Sequence, residues 1–105
     1  MSEKYTITMS ITAKNDLKSL VLYIKNELKE PKIASRYSKM IKSEIKKLED
    51  LPQRFVSIDD EDMKDLKIRK LIIKNYIAFY RINEEKRIVT VERILYDASN
   101  WSSIL

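Results

Sequence analysis

The chain has 105 residues, with 21 Lys and Arg against 16 Asp and Glu, and its net charge at neutral pH is +5. It contains no Gly, Cys or His. This composition excludes glycine-rich phosphate loops, dinucleotide fingerprints and disulfides, and it leaves only carboxylates as strong metal ligands. We therefore expect no cofactor and no metal site. A small basic protein often binds nucleic acid, the ribosome or an acidic protein, although a solvated lysine-rich surface explains the charge equally well.

Length and hydropathy indicate a single domain over residues 1–105. A chain of this size buries roughly two-thirds of the surface that it exposes when unfolded. No apolar run approaches the ~20 residues needed to span a bilayer, and residues 1–12 lack the pattern of a signal peptide. We expect a cytoplasmic protein that has no membrane partner.

The first half of the chain predicts one strand and two helices. Apolar and polar residues alternate over residues 5–11, which predicts a strand. Thr12 is the expected N-cap of the first helix. The apolar stripe of this first helix consists of Leu17, Leu20, Val21, Ile24 and Leu28. Pro31 suits the first turn of a second helix, so the two helices form an antiparallel hairpin. The second stripe consists of Ala34, Tyr37, Ile41, Ile45 and Leu48.

The second half predicts three strands, at Lys67–Lys74, Tyr76–Ile82 and Ile88–Tyr96. Asn83–Lys86 interrupts the alternation and predicts a hairpin built around a type I turn, since Gly is absent. The acidic run Asp59–Asp62 lacks the spacing and the Gly of a calcium loop and is interpreted as a solvated loop. The order of elements predicts an α+β fold with the helical hairpin on one face of a mostly antiparallel sheet.

Strand alternation places several cations on the sheet. Counting from the hairpin turn puts Arg93 opposite Ile77, with Arg81 two pleats along on the same side. Together with Lys70 or Lys74 on the neighbouring strand, these guanidiniums suit a phosphate group. The alternative is that Arg81 and Arg93 pair with Glu84 or Glu92 and have no further role.

Taken together, these features resemble the RelE/ParE superfamily, the toxins of type II toxin–antitoxin pairs. The resemblance covers essentially the whole chain and rests on the order and spacing of several weak motifs. These are the Pro31–Ala34 opening of the second helix, Arg69 with an aliphatic residue two positions on, Tyr76 and Tyr80 around an aliphatic run, an acidic turn, and Val91–Ile94.

The resemblance implies two possible activities. RelE-like members cut mRNA on the ribosome without a metal, and the positions that would do so here are Lys70, Arg81, Arg93 and Tyr96. Further contacts with the target or its phosphates would come from Arg69, Lys74 and Arg87. The match to the nuclease set is partial. Ile77 stands where an arginine is expected, and the arginine expected after the last strand falls at residues 97–99, which include no basic residue. Losing such a cation removes ~3–4 kcal/mol of transition-state stabilisation.

ParE-like members instead inhibit DNA gyrase by binding, and the long helical hairpin and the absence of His favour this activity. A third possibility is a member that has lost its activity and only binds its antitoxin. Under each possibility the resemblance implies a hetero-oligomer with a cognate antitoxin, and a role in plasmid stabilisation. The antitoxin segment should be amphipathic and acidic. The apolar side chains near the end of the sequence either fold back or meet this partner, and they are Trp101, Ile104 and Leu105.

Overall fold

The structure, a computed structural model, describes residues 4–54 and 68–96. Strand β1 (Thr6–Met9) leads into helix α1 (Ile11–Leu22), which continues as a π-helical turn over Tyr23–Glu27. Helix α2 (Pro31–Lys46) follows, with short 3₁₀ turns at Lys47–Glu49 and Pro52–Arg54. The remaining strands are β2 (Arg69–Ile73), β3 (Tyr76–Asn83) and β4 (Ile88–Tyr96). None of the helices in these ranges is long and apolar enough to cross a membrane.

The four strands form one sheet in the order β1-β4-β3-β2. Strand β1 runs parallel to β4, and the other two pairs are antiparallel. The two helices pack on one face of this sheet, so the predicted α+β class and its mostly antiparallel sheet are confirmed. The opposite face of the sheet is called the open face below. It carries the alternate residues of each strand, which point away from the helices.

The core lies between the helices and the sheet. Leu17, Leu20 and Ile24 of the first predicted stripe are buried. The buried residues of the second stripe are Ala34, Ile41, Ile45 and Leu48. Each buried Leu or Ile contributes about 1.5–3 kcal/mol. Leu28, by contrast, is 53% exposed. The π-helical turn explains this, because its Leu28 N–H bonds the Tyr23 carbonyl five residues back and adds one residue before the next helical face.

Two predictions at the start of α1 are wrong. Ser10, not Thr12, is the N-cap, and its hydroxyl accepts a hydrogen bond from the Ala13 N–H at 2.9 Å. Ile11 is the first residue of α1 and is 77% exposed, so it does not extend the buried face of β1. Ser10 also bonds β4, because its N–H donates to the Val91 carbonyl and its hydroxyl to the Glu92 carbonyl. These bonds fix Ser10 as the residue at which the chain leaves the sheet just before α1 begins.

A β-bulge changes which side chains of β4 lie on each side of the sheet. Tyr80 pairs with Val91 while Phe79 pairs with Arg93, so Glu92 is the extra residue on β4. Val91 and Ile94 therefore both contact the core, although strict alternation along β4 would place them on opposite sides of the sheet. The turn pairs Asn83 with Ile88, and the bulge shifts the register by one more residue, so Arg93 lies opposite Phe79 and not opposite Ile77, which pairs with Leu95.

Beyond Met9, the edge of β4 that faced β1 is bound by α1. The carboxylate of Asp16 accepts the Ile94 N–H at 3.0 Å and the Arg93 Nε at 2.8 Å. Burial by itself would raise the pKa of Asp16, but the hydrogen bonds from Arg93 and Ile94 and the Arg93 charge outweigh it, so that the pKa lies below its usual 3.8. A carboxylate that is only 15% exposed here substitutes for a neighbouring strand.

A substitution at Tyr80 tests the contact between β3 and the turn at Pro52–Arg54. Its side chain is fully buried, and its hydroxyl donates to the Pro52 carbonyl at 2.6 Å. Tyr80→Phe leaves that carbonyl without this donor, and we expect the free energy of unfolding in urea to fall by about 1–2 kcal/mol. Tyr23→Phe, which removes a hydroxyl from a side chain that is 54% exposed, is the matched control and should change it little. An equal loss in both variants would contradict a specific role for the Tyr80–Pro52 bond.

Asp16 predicts a pH dependence of stability. Because its pKa is lowered in the folded state, the ionised carboxylate stabilises the fold above the unfolded pKa, near 3.8, and this contribution disappears as pH falls through the lower folded value. We expect the wild-type protein to be more stable than Asp16→Asn at neutral pH and the difference to shrink below pH 3.8. Urea unfolding of both proteins between neutral pH and the acid limit measures this. A difference that persists unchanged in acid would contradict it.

Candidate functional site

Three of the four residues predicted for catalysis lie on the open face. Lys70 of β2 pairs with Phe79 of β3, which pairs in turn with Arg93 of β4. Arg81 lies farther along β3, opposite Thr90. The sheet therefore brings Lys70 and Arg93 to either side of one phenylalanine ring, and Arg81 two residues away from it.

The two guanidiniums on this face are already bonded to carboxylates. Arg81 donates through Nε and an Nη to Glu92 at 3.4 and 3.3 Å. Arg93 donates to both oxygens of Asp16, at 2.8 and 3.2 Å. The expected Arg81–Glu92 pair is thus present, whereas the partner of Arg93 was missed. The available signal was that Asp16 is the single acidic residue of α1.

Lys70 differs from these arginines. Its side chain is half-buried, and among the described residues it forms no ion pair. Ile77, which stands where the resemblance implies an arginine, is 7% exposed and pairs with Ile72 and Leu95. In the described part of the open face, a phosphate would meet one unpaired cation and two that are neutralised.

The residues predicted to bind a target or its phosphates lie at both ends of β3. Lys74 is exposed in the β2–β3 turn with a φ of 53°. Arg87 lies in the β3–β4 turn with a φ of 52°, and its guanidinium stacks 5.3 Å from the centre of the Tyr5 ring. Arg69 points to the helix side of the sheet and donates to the Gln53 carbonyl at 3.0 Å. These three cations do not form one site.

Glu84 organises the end of the sheet that holds Arg69 and Arg87. Its carboxylate accepts hydrogen bonds from the Gln53 side chain at 2.8 Å and from the Tyr5 hydroxyl at 2.9 Å. These two bonds are the main reason why the pKa of Glu84 lies below its usual value, and the charges of Arg87 and Arg69 lower it further. The cluster ties the β3–β4 turn to Tyr5, just before β1, and to the turn at Pro52–Arg54.

Tyr96, the fourth residue predicted for catalysis, lies on the helix side of the sheet. It lines a groove of about 720 Å³ between the helical hairpin and the ends of β3 and β4. We call this the tyrosine groove, and its lining residues are Asp16, Ser19, Leu20, Tyr23, Ile24, Leu28, Ile33, Tyr37, Asn75, Tyr76, Ile94, Leu95 and Tyr96. Its volume is within the range of ligand-binding pockets.

The phenol rings of the groove contact one another edge to face. The ring centres of Tyr37 and Tyr76 are 5.9 Å apart, and those of Tyr76 and Tyr96 are 5.6 Å apart. Burial raises the pKa of Tyr76, and the neighbouring Tyr37, Tyr96 and Tyr23 raise it further. Tyr76 is therefore a neutral phenol at physiological pH, and the groove is suited to apolar contact more than to proton transfer.

Two predictions fall outside the described residues. They are the solvated loop at Asp59–Asp62 and the antitoxin contacts at Trp101, Ile104 and Leu105. Within residues 4–54 and 68–96, no group of three or more acidic side chains is placed to hold a metal ion.

The fold is shared with solved toxin–antitoxin structures. One is titled the chromosomal ParDE system of P. aeruginosa: at 17% identity it covers 92% of this chain and all of the other, with a TM-score of 0.75. Another is the RelBE2 toxin–antitoxin complex of Mycobacterium tuberculosis, at 22% identity over 89% of this chain and 98% of the other, with a TM-score of 0.60.

Sequence comparison gives the family. No curated protein matches the chain significantly. The sequence model of the family described as "ParE toxin of type II toxin-antitoxin system, parDE" matches residues 7–101. That match spans nearly the whole chain and includes the helical hairpin, the sheet and the tyrosine groove. The chain therefore belongs to the ParE toxin family of type II toxin–antitoxin systems.

Proposed function

We propose that this protein inhibits growth by binding DNA gyrase in the cytoplasm and that a cognate antitoxin neutralises it. The observation that favours binding over catalysis is that the arginines of the open face are already paired with carboxylates. Arg81 and Arg93 are each held by a carboxylate, and buried Ile77 takes the position of a nuclease arginine. Cleavage of RNA through its 2′-hydroxyl requires cations aimed at the developing charge on phosphorus oxygens.

The position of Tyr96 also supports binding. A general acid or base must come within hydrogen-bond reach of the atom whose proton it moves. Tyr96 pairs with Tyr76 on the helix side, whereas Lys70, Arg81 and Arg93 lie on the open face. The sheet thus separates the phenol from the cations with which it would have to act.

The second candidate is a RelE-like, ribosome-dependent mRNA endoribonuclease. One observation favours it: Lys70, Phe79 and Arg93 lie side by side across three strands. A phenylalanine between two cations can stack on a base while the cations contact its phosphates. For this activity Arg93 has to exchange Asp16 for a phosphate.

An antitoxin partner is proposed on two grounds. The structural neighbours are titled as toxin–antitoxin systems, and the chain is basic, with a net charge of +5. The antitoxin segment is expected to be acidic and amphipathic, and its contacts are proposed to include Trp101, Ile104 and Leu105. Plasmid stabilisation is the role that we propose for the pair, in which the toxin and antitoxin form a hetero-oligomer.

The gyrase proposal predicts a specific biochemical result. The purified chain should inhibit the supercoiling of relaxed plasmid by gyrase, in a dose-dependent way, and its antitoxin should relieve this. The same preparation should leave mRNA intact on translating ribosomes. Cleavage of ribosome-bound mRNA by a preparation that leaves supercoiling unaffected would contradict the proposal and select the nuclease.

Two conservative variants separate binding from catalysis in cells. A nuclease that depends on Tyr96 and Arg81 should lose about 10²–10³ in rate when either group is removed, as for one transition-state donor. We expect Tyr96→Phe and Arg81→Gln to retain growth inhibition on induction, because the ring contact with Tyr76 is kept and Arg81 is already paired. Arg36→Gln, at an exposed position of α2, is the control for the lost charge. Loss of growth inhibition in Tyr96→Phe, with a native circular dichroism spectrum, would contradict binding.

A further inference from the structure

The tyrosine groove exposes a concentration of large apolar side chains. Tyr23, Leu28 and Tyr96 are 54%, 53% and 60% exposed, and Ile33 is 38% exposed. They come from three separate elements, α1 with its π-helical turn, α2 and β4, and they line one concave surface. An apolar surface of this kind marks a binding site.

The charge of the groove restricts the occupant. Asp16 is the single charged residue among the lining residues, and its carboxylate is bonded to Arg93 and the Ile94 N–H. The remaining lining is aliphatic, phenolic, or the small polar Ser19 and Asn75. Such a surface accepts an uncharged apolar segment and disfavours an ionic one, because a charge placed there would lose its hydration without gaining a partner.

We propose that the groove is occupied by residues 97–105 of this same chain, with Trp101 against the tyrosine rings. These residues continue directly from Tyr96, which itself lines the groove. They include Trp101, Ile104 and Leu105, and they contain no Lys or Arg, in a chain that has 21 of them. Their one charged side chain is Asp97, which directly follows Tyr96. Residues 98–105 carry no charged side chain, and they match the groove through Trp101, Ile104 and Leu105.

The distances allow this contact. Trp101 is five residues beyond Tyr96, so an extended backbone reaches about 17 Å. The ring centres of Tyr96 and Tyr76 are 5.6 Å apart, and those of Tyr76 and Tyr37 are 5.9 Å apart. Trp101 therefore reaches each of the clustered rings without any movement of β4. Because the segment is tethered beside its site, its effective concentration is in the mM range, and a modest contact is enough to fill the groove.

This inference goes beyond the proposed function, since it concerns the toxin alone and holds for either target. Trp101 is the single tryptophan of the chain, so its fluorescence reports on this segment directly. In the purified chain we expect Trp101 emission to be shifted to the blue relative to the urea-unfolded protein, and acrylamide quenching to be several-fold weaker. Native emission and quenching equal to those of the unfolded chain would overturn the proposal.

Charge substitutions then locate the contact. Leu28→Glu and Ile33→Glu alter exposed positions of the groove, and each should return Trp101 emission towards the unfolded value while the circular dichroism spectrum stays native. Ile11→Glu and Leu51→Glu, at positions 77% and 67% exposed and outside the groove lining, are the matched controls and should leave the emission unchanged.

Two other outcomes are decisive. A blue shift that survives both groove variants would place Trp101 elsewhere and overturn the proposal. A blue shift that disappears on dilution would assign the groove to a second copy of the chain and would also overturn it. Retention of the shift over the whole concentration range, together with its loss in the groove variants, supports an intramolecular contact. None of these measurements includes gyrase, so their outcome is separate from that of the supercoiling assay.

Discussion

The unequal lengths of β1 and β4 are the constraint on which most of this structure depends. β1 ends at Met9, opposite Val91, whereas β4 continues to Tyr96. The backbone groups of β4 beyond that point need partners, since an unsatisfied buried N–H costs about 1–3 kcal/mol. Ser10 and Asp16 supply them, by bonding the Val91 and Glu92 carbonyls and the Ile94 N–H. The start of α1 thereby takes the place of a longer β1.

Both faces of the sheet follow from this arrangement. On the open face, Asp16 also neutralises Arg93, the cation best placed to stand beside Lys70 and Phe79. On the helix side, α1 lies along the last residues of β4 and encloses the tyrosine groove with α2. A single carboxylate thus weakens a phosphate site and borders an apolar one. That combination suits a protein that acts by binding better than one that stabilises a charged transition state.

The sequence predicted the elements and most of the core, because apolar residues such as Leu17, Leu20, Ile41 and Ile45 recur at helical spacing and are buried. It failed where tertiary hydrogen bonds decide between local alternatives. Ser10 and Thr12 are both good N-caps, and the bonds from Ser10 to the Val91 and Glu92 carbonyls of β4 select the first. No Gly or Pro marks the bulge at Glu92. Counting residues from the turn therefore could not predict which side chains of β4 face the core or which residue pairs with Arg93.

The contact between Asp16 and Arg93 is where these consequences meet, and it can be observed directly. Hydrogen exchange of the Arg93 Nε–H, followed by ¹⁵N NMR at neutral pH, reports whether this group is bonded. If Asp16 holds it, the exchange should be much slower than that of exposed Arg36, and it should accelerate in Asp16→Asn. Exchange as fast as that of Arg36 in the wild-type protein would show that Arg93 is available on the open face and would contradict its neutralisation by Asp16.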